Sequence, residues 1–334
     1  MLRLPKYEYH RPRAVDDALL LLSRHLGDAL PIAGGTDLIP NMKHGLFTPG
    51  HLIALRGIAA LRGIERRDEA LWLGPAEALS DVARHPLVRA HTPSLAEAAG
   101  RVAGPQLRAM GTIGGNLCLE TRCAYYNQTH FWRDALGYCL KKDGDTCHVT
   151  KVGKKCVAAH SADTAPVLIT LAATAELSGP EGRRDVSLPD FFVADGIWNS
   201  VRRPDEIVTG IRIPLPPATM RTAFQKLRQR NSIDFPLLNV AVACDFESDG
   251  ATVRELRIVV SGLGARPRAL AGLDTIAHGE RLSDDVIEAV AERAFQQCHP
   301  LTNIIVDTEW RRAMVPVHVR RALSSVAAPP SIAA

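Results

Sequence analysis

The stretch LPIAGGTDL, residues 30–38, decides the fold of the first part of this 334-residue chain. Its short apolar run predicts a strand, and the two glycines after it predict a tight turn where the strand ends. Backbone amides at such glycines can approach an anion closely, and the Thr36 hydroxyl can also bind a phosphate oxygen. A plain turn has the same pattern, so this motif alone leaves both interpretations open.

A second glycine turn, GTIGGN at residues 111–116, follows in the same region. Its GxxGG spacing differs from GxGxxG, so the Rossmann fingerprint is absent from the sequence. Apolar side chains at helical spacing predict helices over 14–27 and 93–103, and apolar runs predict strands over 52–58 and 70–76. The first half is therefore predicted to be a mixed α/β region with glycine turns after short strands.

The composition is that of an ordinary globular protein, with 46% hydrophobic residues, 23% charged residues and a net charge of +4. The sequence shows no basic run interleaved with aromatics, so we expect no nucleic-acid partner. The charged N-terminus has no apolar core of a secretory signal, and the apolar run at 167–177 is too short to cross a bilayer. We therefore expect a cytoplasmic protein without a membrane partner.

Four of the seven cysteines, Cys123, Cys139, Cys147 and Cys156, lie in one short segment. The surrounding residues 119–159 have no clear period, which predicts a small insertion held by its cysteines. Four thiolates suit either a tetrahedral zinc or an iron–sulfur cluster. The spacing is long and uneven and contains no CxxC pair, which favours the cluster; structural zinc and unliganded cysteines stay open. Buried apolar roles are expected for Cys118, Cys244 and Cys298.

The second part of the chain begins after a proline-rich boundary at PLPPA, residues 214–218. Alternating apolar residues predict strands over 222–230, 239–248 and 253–264. Residues 283–298 predict one helix with Ser283 as its N-cap. We predict two α/β subdomains over 1–217, split near 57, with residues 119–159 as an insertion within them. Residues 218–325 are predicted to form an α+β domain, and residues 326–334 a flexible tail.

No residue pattern predicts a catalytic centre. The sequence has no Ser-His-Asp set, paired carboxylates or phosphate-binding Walker loop, and its twelve histidines show no ligand spacing. We therefore expect that no residue of this chain is itself catalytic.

Five motifs occur in an order that resembles the flavin-binding subunits of the molybdenum hydroxylase family, to which xanthine dehydrogenase and carbon monoxide dehydrogenase belong. The motifs are PIAGGTDL (31–38), GPQLRAMGTIGGN (104–116), SADTAP (161–166), RRPDEIVTGIRIP (202–214) and AFQKLRQR (223–230). The resemblance covers about residues 1–325. It implies an α+β chain, with a two-subdomain FAD-binding fold of the vanillyl-alcohol-oxidase type followed by a C-terminal α+β domain.

The same resemblance implies which residues bind FAD. The two glycine loops would wrap the pyrophosphate and the flavin, while Asp163 and Lys226 would make polar contacts with the cofactor. Two structural alternatives stay open, because Asp163 could be a helix N-cap and Lys226 a surface charge. The implied loop residues are Leu30, Pro31, Ile32, Ala33, Gly34, Gly35, Thr36 and Asp37 in the first loop, and Thr112, Ile113, Gly114, Gly115 and Asn116 in the second.

Most family members pass almost directly from GGN to the SAD segment, whereas about forty residues intervene here. This insertion resembles that of the 4-hydroxybenzoyl-CoA reductases, in which four cysteines hold an additional [4Fe–4S] cluster. The resemblance implies that Cys123, Cys139, Cys147 and Cys156 are cluster ligands and that Cys118 is not. The long spacing between these cysteines agrees with a segment wrapped around a large inorganic group.

The function implied is electron transfer within a complex that removes the phenolic hydroxyl of 4-hydroxybenzoyl-CoA. The expected partners are a molybdopterin-binding large subunit, a small [2Fe–2S] subunit, and ferredoxin as electron donor; the chain should be inactive alone. Two alternatives stay open. One is the flavin subunit of another molybdenum hydroxylase, with the insertion as a zinc-bound docking module, and the other is a stand-alone flavin oxidase.

Overall fold

The computed structural model describes residues 2–328. The strands are β1 (Glu8–His10), β2 (Ala29–Ile32), β3 (His51–Ala54), β4 (Ile64–Arg67), β5 (Ala70–Leu73), β6 (Thr174–Gly179), β7 (Gly182–Ser187), β8 (Ile207–Pro214), β9 (Met220–Leu227), β10 (Leu238–Phe246), β11 (Val253–Ser261) and β12 (Arg268–Ala269). The helices are α1 (Val15–Arg24), α2 (Leu38–Lys43), α3 (Leu79–Arg84), α4 (Pro86–His91), α5 (Pro93–Arg101), α6 (Pro105–Met110), α7 (Ile113–Leu117), α8 (His130–Ala135), α9 (Thr164–Thr170), α10 (Leu188–Phe191), α11 (Asp274–Ala277), α12 (Asp284–Gln297) and α13 (Thr308–Ala327), with a 3-10 turn at Ala59–Leu61.

The first subdomain is a three-stranded parallel sheet in the order β1-β3-β2. Helix α1 packs on it through Ala18 and Leu22, which lie in one apolar cluster with Ile53. The strand predicted over 52–58 ends at Ala54, because Leu55 to Ile58 form a turn closed by a backbone hydrogen bond of 3.1 Å. Parallel strands present their carboxyl ends at one edge, so the segments after β2 and β3 leave the sheet together.

The second subdomain differs from the predicted α/β arrangement, because its five-stranded sheet, β4-β5-β8-β6-β7, is antiparallel throughout. Tight turns join β4 to β5 and β6 to β7. Each turn contains a residue with positive φ: Asp68 at 51° in the first and Gly182 at 106° in the second. Helices α3, α5, α7 and α9 bury their apolar faces in the same core as β5, β6 and β8.

The C-terminal part is a four-stranded antiparallel sheet, β12-β11-β10-β9, covered by α12 and α13. Every residue of β10 is buried, because helix α13 packs on this strand and α9 of the preceding subdomain also contacts it. The predicted N-cap is confirmed, since the Ser283 hydroxyl accepts a hydrogen bond from the Val286 N–H at 3.4 Å. Helix α13 runs to Ala327, two residues into the predicted flexible tail, and residues 329–334 lie outside the described part.

Residues 119–159 connect α7 to α9 with α8 as their one helix within the described chain. Reciprocal backbone hydrogen bonds of 2.8 and 2.6 Å between Arg122 and Ala159 close the base of this segment. The buried Arg133 donates to the carbonyl oxygens of His44 and Gly45, and the Ala124 N–H donates to the Asn303 carbonyl at 2.8 Å. The insertion is therefore fastened both to the first subdomain and to the C-terminal part.

Between residues 2 and 328, no helix combines the length and the apolar character needed to cross a membrane.

Candidate functional site

A cavity of about 410 Å³ lies where the two glycine loops meet. Its volume falls within the range usual for small-molecule and cofactor sites, about 300–1,000 Å³. All of the first-loop residues implied by the family resemblance, 30–37, line this cavity. From the second loop Thr112, Gly114, Gly115 and Asn116 line it, whereas Ile113 turns into the hydrophobic core.

The two loops touch through their backbones at glycines. A Cβ on Gly34 would overlap the carbonyl oxygen of Met110 and would lie 2.8 Å from the Gly111 Cα. A Cβ on Gly114 would lie 2.8 Å from the Pro75 carbonyl oxygen. These glycines are thus required for contact between protein segments, a role that the sequence pattern does not distinguish from binding an anion.

The first loop carries free hydrogen-bond donors. Within residues 2–328, no protein group accepts a hydrogen bond from the backbone N–H groups of residues 33–37. Gly35 adopts a left-handed φ of 70°. Because glycine has no Cβ, the chain can turn there without steric strain. Successive free amides in such a turn form a concavity that suits an anionic group.

The second loop differs from the first, because most of its amides donate to protein groups. The N–H of Ile113 donates to the Glu77 carbonyl at 3.0 Å, and that of Gly114 donates to the Pro75 carbonyl at 2.9 Å. The N–H of Gly115 donates to the Thr112 hydroxyl at 3.1 Å as an N-cap bond. The loop therefore shapes the wall of the cavity, and Gly115 is exposed on that wall.

Asp163 and Lys226 form an ion pair that is almost fully buried, with 2.6 Å between the Lys226 Nζ and the Asp163 Oδ2. Burial raises the pKa of Asp163 and lowers that of Lys226, and the charge of each partner opposes these shifts. Asn239 donates to Asp163 at 3.0 Å, and Lys226 donates to the Arg101 carbonyl at 3.1 Å. Asp163 occupies the N-cap position of α9, as one alternative expected, but its side chain makes no capping hydrogen bond; the surface alternative for Lys226 is wrong, because Lys226 is buried.

The pair does not line the cavity but lies directly behind its wall. Lys226 holds the carbonyl of Arg101, and the next residues, Val102 and Ala103, line the cavity. Thr164, which follows Asp163, donates from its hydroxyl to the Asn116 Oδ1 at 2.7 Å. In this geometry the pair holds the wall of the cavity in place.

Sequence reasoning missed a large part of the cavity wall. Most of these residues are apolar and come from segments far apart in the chain, so no local motif marks them. They are Leu38, Phe47, Leu55, Leu61, Pro75, Ala76, Leu79, Val102, Ala103, Leu107, Gly111, Cys118, Leu119, Glu120, Ser161, Arg202, Glu206, Ile207, Val208, Ile233, Asp234 and Phe235. The expectation of a buried Cys118 is wrong, since this thiol is exposed on the cavity wall.

A charged contact links the cavity to the cysteine-rich segment. The Arg122 guanidinium pairs with the Asp37 carboxylate and lies 3.8 Å from the ring centroid of Phe235. Burial raises the pKa of Asp37, and the Arg122 charge counteracts that shift. Because Arg122 directly precedes Cys123, one residue reaches both the first glycine loop and the cysteine-rich segment.

The four clustered cysteines line one small common cavity within the insertion. All are free thiols, and burial raises the pKa of Cys123 to about 11. Burial acts on Cys147 in the same direction, but hydrogen bonds from the Thr150 hydroxyl and from backbone N–H groups outweigh it and lower the pKa of that thiol. The Ala158 N–H also donates to the Cys156 sulfur at 3.4 Å. Hydrogen bonds to sulfur are a main means by which proteins tune metal thiolates.

The four sulfurs surround the cavity rather than converging on one point. Among the described residues, the cysteines form no group of three sulfurs that all lie within 4.8 Å of one another. A tetrahedral zinc with Zn–S bonds of about 2.3 Å would hold its sulfurs about 3.8 Å apart. The buried ammonium of Lys141 also lines the thiol cavity and donates to the Gly196 carbonyl at 2.6 Å.

Two protein-family models match the chain. The model for the FAD-binding domain in molybdopterin dehydrogenase matches residues 5–216. The model for the C-terminal domain of carbon monoxide dehydrogenase flavoprotein matches residues 222–326. These matches meet next to the proline-rich boundary expected from the sequence.

Individual relatives are similar to this chain over almost its whole length. The carbon monoxide dehydrogenase medium chain of Hydrogenophaga pseudoflava is 29% identical over 96% of this chain and 97% of its own length. The aldehyde oxidoreductase FAD-binding subunit of Escherichia coli is 31% identical, with 88% of this chain and 91% of that protein covered. A solved structure of the Hydrogenophaga pseudoflava enzyme lacking the Mo-pyranopterin moiety superposes with a TM-score of 0.79, covering 97% of this chain and 98% of that one, at 28% identity.

We predict that Gly115→Val lowers FAD occupancy to a small fraction of the wild-type flavin-to-protein ratio. An ideal Cβ at Gly115 meets only the Thr112 hydroxyl, at 3.0 Å, so the added side chain would occupy the cavity at little cost to the fold. Gly57→Val is the matched control, because a Cβ there meets nothing within 4 Å and Gly57 is exposed away from the cavity. Flavin absorbance of the purified chains measures the ratio, and equal ratios in both variants would contradict the cofactor assignment.

We predict that Lys226→Met destabilises the chain by about 3–5 kcal/mol, because it leaves the Asp163 carboxylate buried without its partner charge. The double variant Asp163→Asn with Lys226→Met should recover most of that loss. Urea unfolding measures the free energy of unfolding of each variant. A single variant as stable as the wild type, or a double variant that is no better than the single, would show that the pair is not coupled as described.

Proposed function

This chain belongs to the family of FAD-binding subunits of molybdenum hydroxylase-type dehydrogenases, and from that premise we propose a specific member: the FAD- and [4Fe–4S]-containing electron-transfer subunit of a molybdenum-dependent 4-hydroxybenzoyl-CoA reductase. The observation that carries the proposal is the set of four free thiols around one cavity in a segment joined to the flavin-binding loop. The relatives establish the flavin subunit, and the thiols carry the more specific assignment.

Two features of the thiol cavity fit an iron–sulfur cluster. Backbone and hydroxyl donors are directed at Cys147, and an amide is directed at Cys156. Lys141 lies on the cavity wall, where its buried ammonium pairs with the Glu120 carboxylate and partly opposes the burial that raises the pKa of Cys156.

The larger cavity fits FAD. The free amides of residues 33–37 would bind the pyrophosphate, and the apolar side chains around them would cover the remainder of the cofactor. Asp163 and Lys226 would hold the wall in place from behind. When bound, the flavin and the cluster supply one-electron chemistry that the side chains of this protein do not offer.

The proposed reaction consumes two electrons and two protons. It breaks the bond between the ring carbon and the phenolic oxygen of 4-hydroxybenzoyl-CoA, forms a carbon–hydrogen bond, and releases the oxygen as water. Reducing an aromatic ring system needs a donor of low potential, and iron–sulfur clusters span about −700 to +450 mV. An additional cluster on the flavin subunit suits ferredoxin as the electron donor.

We expect the reacting centre to lie on another chain. The relatives are described as a medium chain and as an FAD-binding subunit, which are terms for parts of larger assemblies. The proposed complex therefore contains a molybdopterin-binding large subunit and a small [2Fe–2S] subunit, and the present chain is inactive by itself. In that arrangement this chain binds cofactors and conducts electrons without touching the aryl-CoA.

We predict that replacing any one of Cys123, Cys139, Cys147 or Cys156 by Ser removes about four irons per chain, because a cubane that lacks a ligand fails to assemble. Cys118→Ala should keep the full iron content, since Cys118 lies on the other cavity. Iron and acid-labile sulfide in anaerobically purified protein are the measurements. Tightly bound zinc without labile sulfide would instead support the docking-module alternative.

We predict that a Cys147→Ser complex that retains FAD loses ferredoxin-driven reduction of the aryl-CoA. Reverse activity, measured with an artificial dye that accepts electrons beyond the cluster, should decrease much less, because only the outermost carrier has been removed. Comparing both directions in the same preparation separates a lost electron entry point from a damaged complex. Ferredoxin-driven turnover at the unmutated rate would show that the thiol site is off the electron path.

A further inference from the structure

Three histidines that are remote in sequence meet at one edge of the first subdomain. His10 ends β1, His25 directly follows α1, and His51 begins β3. Each ring offers one nitrogen, and the three nitrogens all lie within 4.8 Å of one another. The His10 Nε2 and the His51 Nδ1 are 3.0 Å apart, and the His25 and His51 rings stack with centroids at 3.7 Å.

The backbone fixes this arrangement. In the parallel register Glu8 pairs with His51, so His10 lies two residues further along the same face of β1. The Asp28 N–H donates to the His25 carbonyl at 2.9 Å, and the Asp28 carbonyl accepts from the His51 N–H at 3.1 Å. The Asp28 carboxylate in turn accepts the Gly50 N–H at 2.7 Å. Asp28 therefore ties the segment after α1 to the start of β3.

A carboxylate completes the set. The Glu8 Oε2 lies 3.8 Å from the His10 Nε2 and 3.6 Å from the His51 Nδ1. Three imidazoles and one carboxylate are a donor set typical of zinc, which binds nitrogen at about 2.0–2.1 Å and takes four ligands. The side chains of His10 and His51 are 23% and 17% exposed, so an ion from solvent can reach the cluster.

We propose that His10, His25 and His51, with Glu8 as the fourth ligand, form a metal site that binds one divalent transition-metal ion of the zinc type. The site is distinct from the two cavities described above. None of Glu8, His10, His25 and His51 lines either cavity. A bound ion would join β1, β3 and the end of α1, and its effect would be to stabilise this small subdomain.

The test counts zinc bound to the full chain. Wild type, His25→Ala and His51→Ala are stripped of loosely held metal, equilibrated with Zn²⁺, separated from free ion, and analysed for zinc and protein. His299→Ala is the matched control, because His299 is an exposed histidine outside the cluster. We expect wild type and His299→Ala to retain about one more zinc per chain than either cluster variant. Any zinc held by the cysteines is the same in all four proteins and cancels in the difference.

A second measurement covers the case in which a variant folds poorly. Zn²⁺ that binds the folded chain alone raises its thermal midpoint. The midpoint should rise more in wild type and in His299→Ala than in His25→Ala, whose substitution lies in the segment after a helix. Equal zinc content in all four proteins, or an equal rise in wild type and His25→Ala, would overturn the proposal. Neither outcome bears on the iron content of the cysteine cluster, which is measured separately.

Discussion

The contact between backbone atoms at Gly34 and at Met110–Gly111 is the constraint on which the cofactor site depends. It joins the edge of a parallel sheet to the helical part of the next subdomain with no room for a side chain. The loop of residues 33–37 is held there with its amides free of protein acceptors, which is costly unless water or a ligand satisfies them. The cavity therefore lies at a junction between subdomains, the usual location for a cofactor.

Buried cations that bind main-chain carbonyls join the parts of this chain. Arg311 is fully buried and donates to the carbonyls of Leu237, Leu301 and Gly262, and burial lowers its pKa to about 10. Arg133 likewise donates to the main-chain carbonyls of His44 and Gln128, and so joins the insertion to the first subdomain. Each hydrogen bond to a carbonyl offsets part of the cost of burying the charge, so each arginine fixes the position of several loops at once.

The sequence predicted the elements better than the site. Periodicity located α1, α5 and α12 and the long strands of the C-terminal sheet, because one face of each is buried against a partner. It located both glycine loops, but it did not show that Gly34 and Gly114 make room for neighbouring backbone segments. Glycine spacing alone does not reveal whether the space is taken by a ligand or by another backbone.

Two further features lay beyond sequence reasoning. Asp163 and Lys226 pair with each other, a contact that the packing of β9 against the preceding subdomain creates. The histidines showed no ligand spacing because strand register, and not distance along the chain, brings positions 10, 25 and 51 together. Long-range pairing of this kind leaves no local pattern in the sequence.

The anchoring of the insertion has a consequence for the order in which the protein is made. The Ala124 amide and the Val157 carbonyl both bind Asn303, which emerges from the ribosome long after the four cysteines. Until then the segment lacks one of its attachments, and contacts across such a separation form late in folding. The surroundings of the four cysteines are therefore complete only when the last helices dock.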